Sequence, residues 1–199
     1  QGTAESVAST ATSAVANVND DSTVAISGTV TEDQVLTATV TDEDGATGTI
    51  AYQWNRDGAA ISGATSSTYT LTQSDVGSAM TVTVTFNDDL STSETATSAA
   101  TAVVANVNDD PTGSVTITGT AQEDEALGIA TSLMADEDGL GTFSYQWNRA
   151  GTAISGATGL IYTLGQSDVG SAMTVTVSYT DGQGSAESVT SAATSAVAN

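Results

Sequence analysis

The sequence predicts an all-β protein: two tandem seven-stranded sandwiches joined end to end, preceded by the terminal strand of a previous repeat. Three observations predict it. Long strings recur along the chain at a near-constant offset, apolar residues alternate with threonine and serine, and the runs are punctuated by glycine and acidic turns.

The repeat comes first. Gln73–Val84, QSDVGSAMTVTV, recurs letter for letter at Gln166–Val177, and YQWNR at Tyr52 recurs at Tyr145. The string Asn17-Val18-Asn19-Asp20-Asp21 returns as Asn106-Val107-Asn108-Asp109-Asp110, now followed by Pro111. Residues 2–17 match residues 184–199, which makes the start of the chain a last strand without its module. The expected divisions are 1–18 for that strand and the start of a linker, 19–107 for the first repeat and 108–199 for the second. The pattern starts in mid-repeat, so a segment of a longer protein is expected.

Within the first repeat Val24 and Ile26 open the pattern, then Leu36, Ala38 and Val40 alternate with threonines. Ile50, Tyr52 and Trp54 share one face, Tyr69 and Leu71 another, and Met80, Val82, Val84 and Phe86 alternate with Thr81, Thr83 and Thr85. A long run from Ser91 to Val104 closes the repeat. A period of two with β-branched residues outward is what half-buried antiparallel strands require. The orphan strand at residues 1–17 is expected to pair with a sheet of its own first repeat or of a neighbouring molecule, because a lone strand exposes unpaired backbone groups.

Composition narrows the function. The chain has 199 residues, 24 of them acidic against two basic ones, and a formal net charge of -22. Arg56 and Arg149 leave nothing to neutralise a phosphate backbone, which excludes nucleic acid, and the charge opposes anionic membrane surfaces. No apolar run reaches the roughly 18 residues of a membrane span, so no insertion is expected. Cysteine, histidine and lysine are absent. Without them no neutral-pH base or activated nucleophile is at hand, and no enzyme is expected.

Twenty of the 24 acids occupy five loop positions, each used in both repeats. The linkers hold Asn17, Asn19, Asp20 and Asp21, and Asn106, Asn108, Asp109 and Asp110. The first turn holds Glu32 and Asp33, and in the second repeat Glu123 and Asp124. The second turn holds Asp42 and Asp44, and Asp136 and Asp138. The corner turn holds Asp75 and Asp168, and the last turn Asp88 and Asp181. In a seven-strand sandwich the linker, second turn and last turn share one pole, while the first turn and corner share the other. Two carboxylates about 5 Å apart repel by roughly 3 kcal/mol at an effective dielectric of 20. Several such pairs rival a domain's net stability of about 5–15 kcal/mol. A cation is therefore expected among them, and calcium fits: it takes six to eight oxygens in a tolerant geometry, whereas zinc wants histidine or cysteine. Acidic turns also occur as plain solvated loops, and aspartate often caps a corner turn.

These residues carry resemblances. Trp54 and Trp147 on the third strand, with the Asp-Val-Gly corner before the sixth, look immunoglobulin-like, although the core disulfide is missing and Met80 and Met173 stand where a corner tyrosine is usual. The linker from Asn106 to Pro111 resembles the cadherin linker D-x-N-D-N-x-P, with asparagine for its first aspartate. YQWNR, the Y-T-L-x-Q-S-D-V-G string and the terminal A-N-V-N-D are similar to the tandem repeats of giant bacterial surface adhesins of the repeats-in-toxin type. That resemblance implies type I secretion, calcium-dependent folding at the bacterial cell surface, and an extender that projects a distal binding domain, with adjacent repeats of the same chain as partners. The alternative is a glycan- or protein-binding module of a secreted protein, with the tryptophans as sugar platforms.

Overall fold

The computed structural model describes all residues 1–199. Its regular structure is β-strand, with two short 3-10 turns and no α-helix. The chain forms two compact units, one of residues 1–30, 34–71 and 78–104, the other of residues 31–33, 72–77 and 105–199.

The first unit holds β1 (Thr23–Ser27), β2 (Val35–Thr41), β3 (Ala51–Arg56), β4 (Ala59–Ala60), β5 (Thr68–Thr70), β6 (Met80–Asn87) and β7 (Ser93–Thr97). They make a three-stranded sheet, β1-β2-β5, and a four-stranded sheet, β4-β3-β6-β7, with antiparallel pairing throughout. Alternation works as the sequence demands: along β6, Met80, Val82, Val84 and Phe86 are buried while the intervening threonines face outward. Trp54 is fully buried, its indole N–H donates to the Ser66 carbonyl at 2.9 Å, and its ring stacks on Tyr69 at 5.7 Å. A buried tryptophan that satisfies its one polar atom on the backbone is core, and no flat ring is left to receive a sugar.

The second unit repeats the plan with β8 (Thr116–Thr118), β9 (Ala126–Ala130), β10 (Ser144–Arg149), β11 (Thr152–Ala153), β12 (Ile161–Thr163), β13 (Met173–Thr180) and β14 (Ala186–Thr190). Its sheets are β12-β9-β8 and β11-β10-β13-β14, packed over Trp147, Leu127, Leu164, Met173, Val175, Val177 and Val197. Both repeats are thus seven-stranded, immunoglobulin-like β-sandwiches, with methionine rather than tyrosine buried at the corner.

Two expectations meet a different structure. The run from Ser91 to Val104 is not one strand: β7 stops at Thr97, beyond which the Ser98 and Thr101 N–H groups still donate to the Val82 and Met80 carbonyls but their hydroxyls, not their carbonyls, accept the Val82 and Met80 N–H groups. The Thr31–Asp33 turn belongs with the second unit, where Thr31 bridges Ala105 and the Glu32 N–H donates to the Ala105 carbonyl at 2.9 Å. Residues 1–22 form no strand, and residues 1–21 are exposed. Pairing of this segment with its own first repeat is not made, because the edge of β6 is already taken by β7.

Candidate metal centre

The second unit draws Glu32, Asp109 and Asp138 together, with one carboxylate oxygen of each within 4.8 Å of the others. Each arrives for a local reason. Asp138 sits in the turn before β10, where its own N–H donates to Asp136 Oδ1 at 2.9 Å, an Asx-type bond that tightens the Asp-Glu-Asp-Gly turn. The linker is tied down on top of it: the Asp109 N–H donates to Asp138 Oδ2 at 2.9 Å. Glu32 reaches in from the Thr31–Asp33 turn and accepts from the Val107 N–H at 3.4 Å.

Burial makes this arrangement unstable as it stands. Glu32 is 2% exposed and Asp138 4%. Loss of solvent pushes the Glu32 carboxyl above its usual range, and the charges of Asp109, Asp33 and Asp138 push the same way against the Val107 hydrogen bond. The Asp109 carboxyl is also raised, first by desolvation and then by Asp138, Asp33, Asp136 and Asp110. No arginine is among the groups that shift these two carboxyls, and Arg149 pairs with Asp168.

A further observation points to a ligand. Asp138 Oδ1, Asp181 Oδ2 and Asn106 Oδ1 are buried acceptors without a hydrogen-bond partner. Asp181 spends its other oxygen on the N–H groups of Gln183, Gly184 and Ser185, at 2.6–2.9 Å, which fixes the last turn. That turn is bound to the second turn, because the Gly182 N–H donates to the Asp138 carbonyl. A side chain cannot replace Gly182, since a Cβ there would lie 2.5 Å from that carbonyl. Buried oxygens left unpaired cost stability and call for an explanation such as an ion or water.

The first unit presents the same turns. Asp44 accepts from the Asn17 amide at Oδ1 and from the Asp20 N–H at Oδ2, both at 2.9 Å, and its N–H donates to Asp42. Asp88 binds the N–H groups of Leu90 and Thr92 with one oxygen. Asp42 Oδ2 and Asp88 Oδ2 are buried without a partner. Asp21 and Asp33 lie exposed beside these poles, as does Asp110.

Other expected ligands sit elsewhere. Both oxygens of Asp168 are engaged, Oδ1 by Arg149 Nε at 2.6 Å and Oδ2 by the Gly165 N–H at 2.9 Å and the Tyr162 hydroxyl at 3.1 Å. Burial alone would raise its pKa, but these donors outweigh it and hold the carboxyl below the usual range. Asp75 is buried and accepts from Thr72 through both its N–H and its hydroxyl. These aspartates brace their corners, as the capping role of aspartate predicts. Glu123 and Asp124 stand at the far end of the second unit, where the Glu123 N–H pairs with the Ala198 carbonyl, and no acidic group of three forms there. Conversely, Glu94 and Glu187, which recur with Glu5 at one position of the last strand, stand outside the expected ligand set. Glu94 takes the Asn19 amide at 2.8 Å and Glu187 takes the Asn108 amide at 2.9 Å, so each holds a linker asparagine in place. Their recurrence at one repeat position was the available signal.

No protein-family profile matches the chain, and no curated protein matches it. Among solved structures it is similar to the three N-terminal domains of the bacteriophage RB49 highly immunogenic outer capsid protein, Hoc. The identity is 19% and the TM-score 0.34, over 85% of this chain and 58% of that one.

Proposed function

We propose that the chain is a structural extender whose acidic poles bind calcium, with the ion stiffening the passage from one repeat to the next. The carrying observation is the set of buried, unpartnered acceptors on the turns of both repeats: Asp42 and Asp88 in one, Asp138 and Asp181 with linker Asn106 in the other, Asp88 and Asp181 standing at matching positions. The donor set is entirely oxygen, from carboxylates and a carboxamide, which suits a hard cation of variable coordination number and not zinc. Glu32, Asp109 and Asp138 would supply the charge, and Asn106 and Asp181 the remaining acceptors. Bound calcium would supply positive charge against the burial and, after it, the neighbouring carboxylates that raise the Glu32 and Asp109 carboxyls.

The setting that accords with this chemistry is outside the cell, where weak calcium modules are filled at about 10⁻⁴–10⁻³ M. We place the repeats in a bacterial surface adhesin of the repeats-in-toxin type, on the motifs quoted above, with the repeats as spacers and not as the adhesive tip. Full burial of Trp54 and Trp147 removes the platforms on which a glycan-binding reading relied. The test is small-angle scattering and thermal melting of the full chain in calcium and in chelator. A lower melting temperature and a broader distance distribution in chelator are expected; identical curves would sink the proposal.

A further inference from the structure

Glu94 and Glu187 occupy inward positions of their strands. Each lies directly across the ladder from a core aromatic, Glu94 from Phe86 and Glu187 from Tyr179, and so shares its face of the sheet. Phe86 is 4% exposed, Tyr179 5% and Glu94 7%, while Glu187 is half-buried. A carboxylate turned inward is costly unless it is hydrogen-bonded. Both find partners on the linker. Glu94 accepts from the Asn19 amide at 2.8 Å with Oε1, and from the Ser22 N–H and hydroxyl at 3.4 and 3.2 Å with Oε2. Glu187 accepts from the Asn108 amide at 2.9 Å with Oε1. In place of Ser22 the second linker has Pro111, which carries neither an N–H nor a hydroxyl to give.

One residue beyond each asparagine the linker is bonded a second time, to the second turn. The Asp20 N–H donates to Asp44 Oδ2 and the Asp109 N–H to Asp138 Oδ2, both at 2.9 Å. Two successive linker residues are thus held between the last strand and the second turn by direct bonds to side chains of the same sandwich. At the second pole the Tyr179 hydroxyl also donates to Asp136 Oδ2. One cross-strand pair, Tyr179 and Glu187, therefore grips the acidic turn with one side chain and the linker with the other.

We propose that Glu187 and Glu94 are positioning residues of the two poles. Each acts through its linker asparagine, Asn108 or Asn19, to dock the linker on its own sandwich and so set Asp109 or Asp20 at the pole in advance of an ion. This rests on the metal reading and adds to it a pair of side chains that stand behind the ligands and orient them. It also makes Asn19 and Asn108 braces instead of ligands: a carboxylate only accepts, so the amide nitrogen faces the glutamate. A linker that leaves the pole lowers the apparent affinity in proportion to the fraction of chains in which it is docked. The brace has three bonds at the first pole and one at the second, where the fixed φ of Pro111 restricts the linker by other means.

Amide hydrogen exchange of the full chain is followed by NMR in chelator at Asp20 and Asp109, whose N–H groups report the docked linker. Glu187→Ala should speed exchange at Asp109 by about ten-fold and leave Asp20 unchanged. Glu187→Gln, whose side-chain oxygen still accepts from Asn108, should keep the wild-type rate. Because alanine at an inward position can disturb the fold, Asn108→Ala removes the donor from the exposed linker and should reproduce the effect. Glu94→Ala should act in the same way at Asp20 and by a larger factor, since three bonds are lost. Calorimetric calcium titration gives the second readout: N108A and N108D should both weaken binding, although the aspartate adds a carboxylate. Unchanged exchange at Asp109 in E187A and N108A, an E187Q as fast as E187A, or tighter calcium binding by N108D would overturn the proposal. A wild-type chain that binds no calcium would remove the metal reading, and the exchange rates would still decide whether the glutamates dock the linker.

Discussion

The pole around Asp42, Asp44 and Asp88 and the pole around Asp136, Asp138 and Asp181 are the same turns in two copies of one repeat. Their hydrogen bonds coincide in outline: in each, the linker N–H of Asp20 or Asp109 lands on the second-turn aspartate at 2.9 Å. They differ in which oxygens are left over. At the first pole the Asn17 amide donates to Asp44 Oδ1, whereas at the second Asp138 Oδ1 and Asn106 Oδ1 are both unpartnered and Glu32 adds a third carboxylate. One hydroxyl makes the other difference. Tyr179 donates to Asp136 Oδ2 at 2.5 Å, while Phe86 at the matching position leaves Asp42 Oδ2 unpartnered. The same turns thus leave different oxygens over: at the first pole the linker amide satisfies Asp44, and at the second the matching aspartate keeps an unpartnered oxygen.

The largest expected effect separates the poles directly. Each repeat has one tryptophan, so Trp54→Phe and Trp147→Phe variants report the melting of one sandwich at a time. A ligand at 100 times its Kd stabilises by about 2.7 kcal/mol, which corresponds to about 10–20 °C in a domain of this size. Chelator should lower the second unit's transition by that order and the first unit's by less. Equal shifts would break the comparison.

Next come the ligands themselves. Asp138→Asn should weaken calcium binding about ten-fold or more, by removing charge from the crowded set. Asp44→Asn, at an aspartate whose oxygens already accept two protein donors, should weaken it less. Calorimetric titration of both variants checks the ranking. The hydroxyl swap is smaller: Tyr179→Phe should cost about 1–2 kcal/mol in chelator through the unpaired Asp136 oxygen, and Phe86→Tyr should recover part of that in the first unit. Denaturant melts of the two variants measure it.

The corner brace gives the smallest effect, read through pH. The folded pKa of Asp168 lies below its unfolded value, so its contribution is present above about pH 4 and is lost as pH falls through the folded pKa. Arg149→Ala should flatten the acid limb of the second unit's stability curve. An unchanged slope would show that the pair is incidental.

Much of this was legible in the letters. Alternation around Trp54 and Met80 identified the strands, because a half-buried sheet leaves little choice of pattern. The gathering of Glu32, Asp109 and Asp138 followed from a repeat offset and the alternation of sandwich poles. Asp168 was overcounted as a ligand, since sequence shows an acid in a turn but not the Arg149 and Tyr162 side chains folded back on it. Glu94 and Glu187 were passed over because a strand acid reads as a solvent-facing residue until a linker asparagine is seen against it.

The most direct measurement is a calorimetric calcium titration of the wild-type chain beside the double variant E32Q/D138N. Saturable binding in the wild type, with at least one site lost in the variant while its fold is retained, is the predicted result. No heat of binding up to millimolar calcium, or indistinguishable isotherms for the two proteins, would contradict the account.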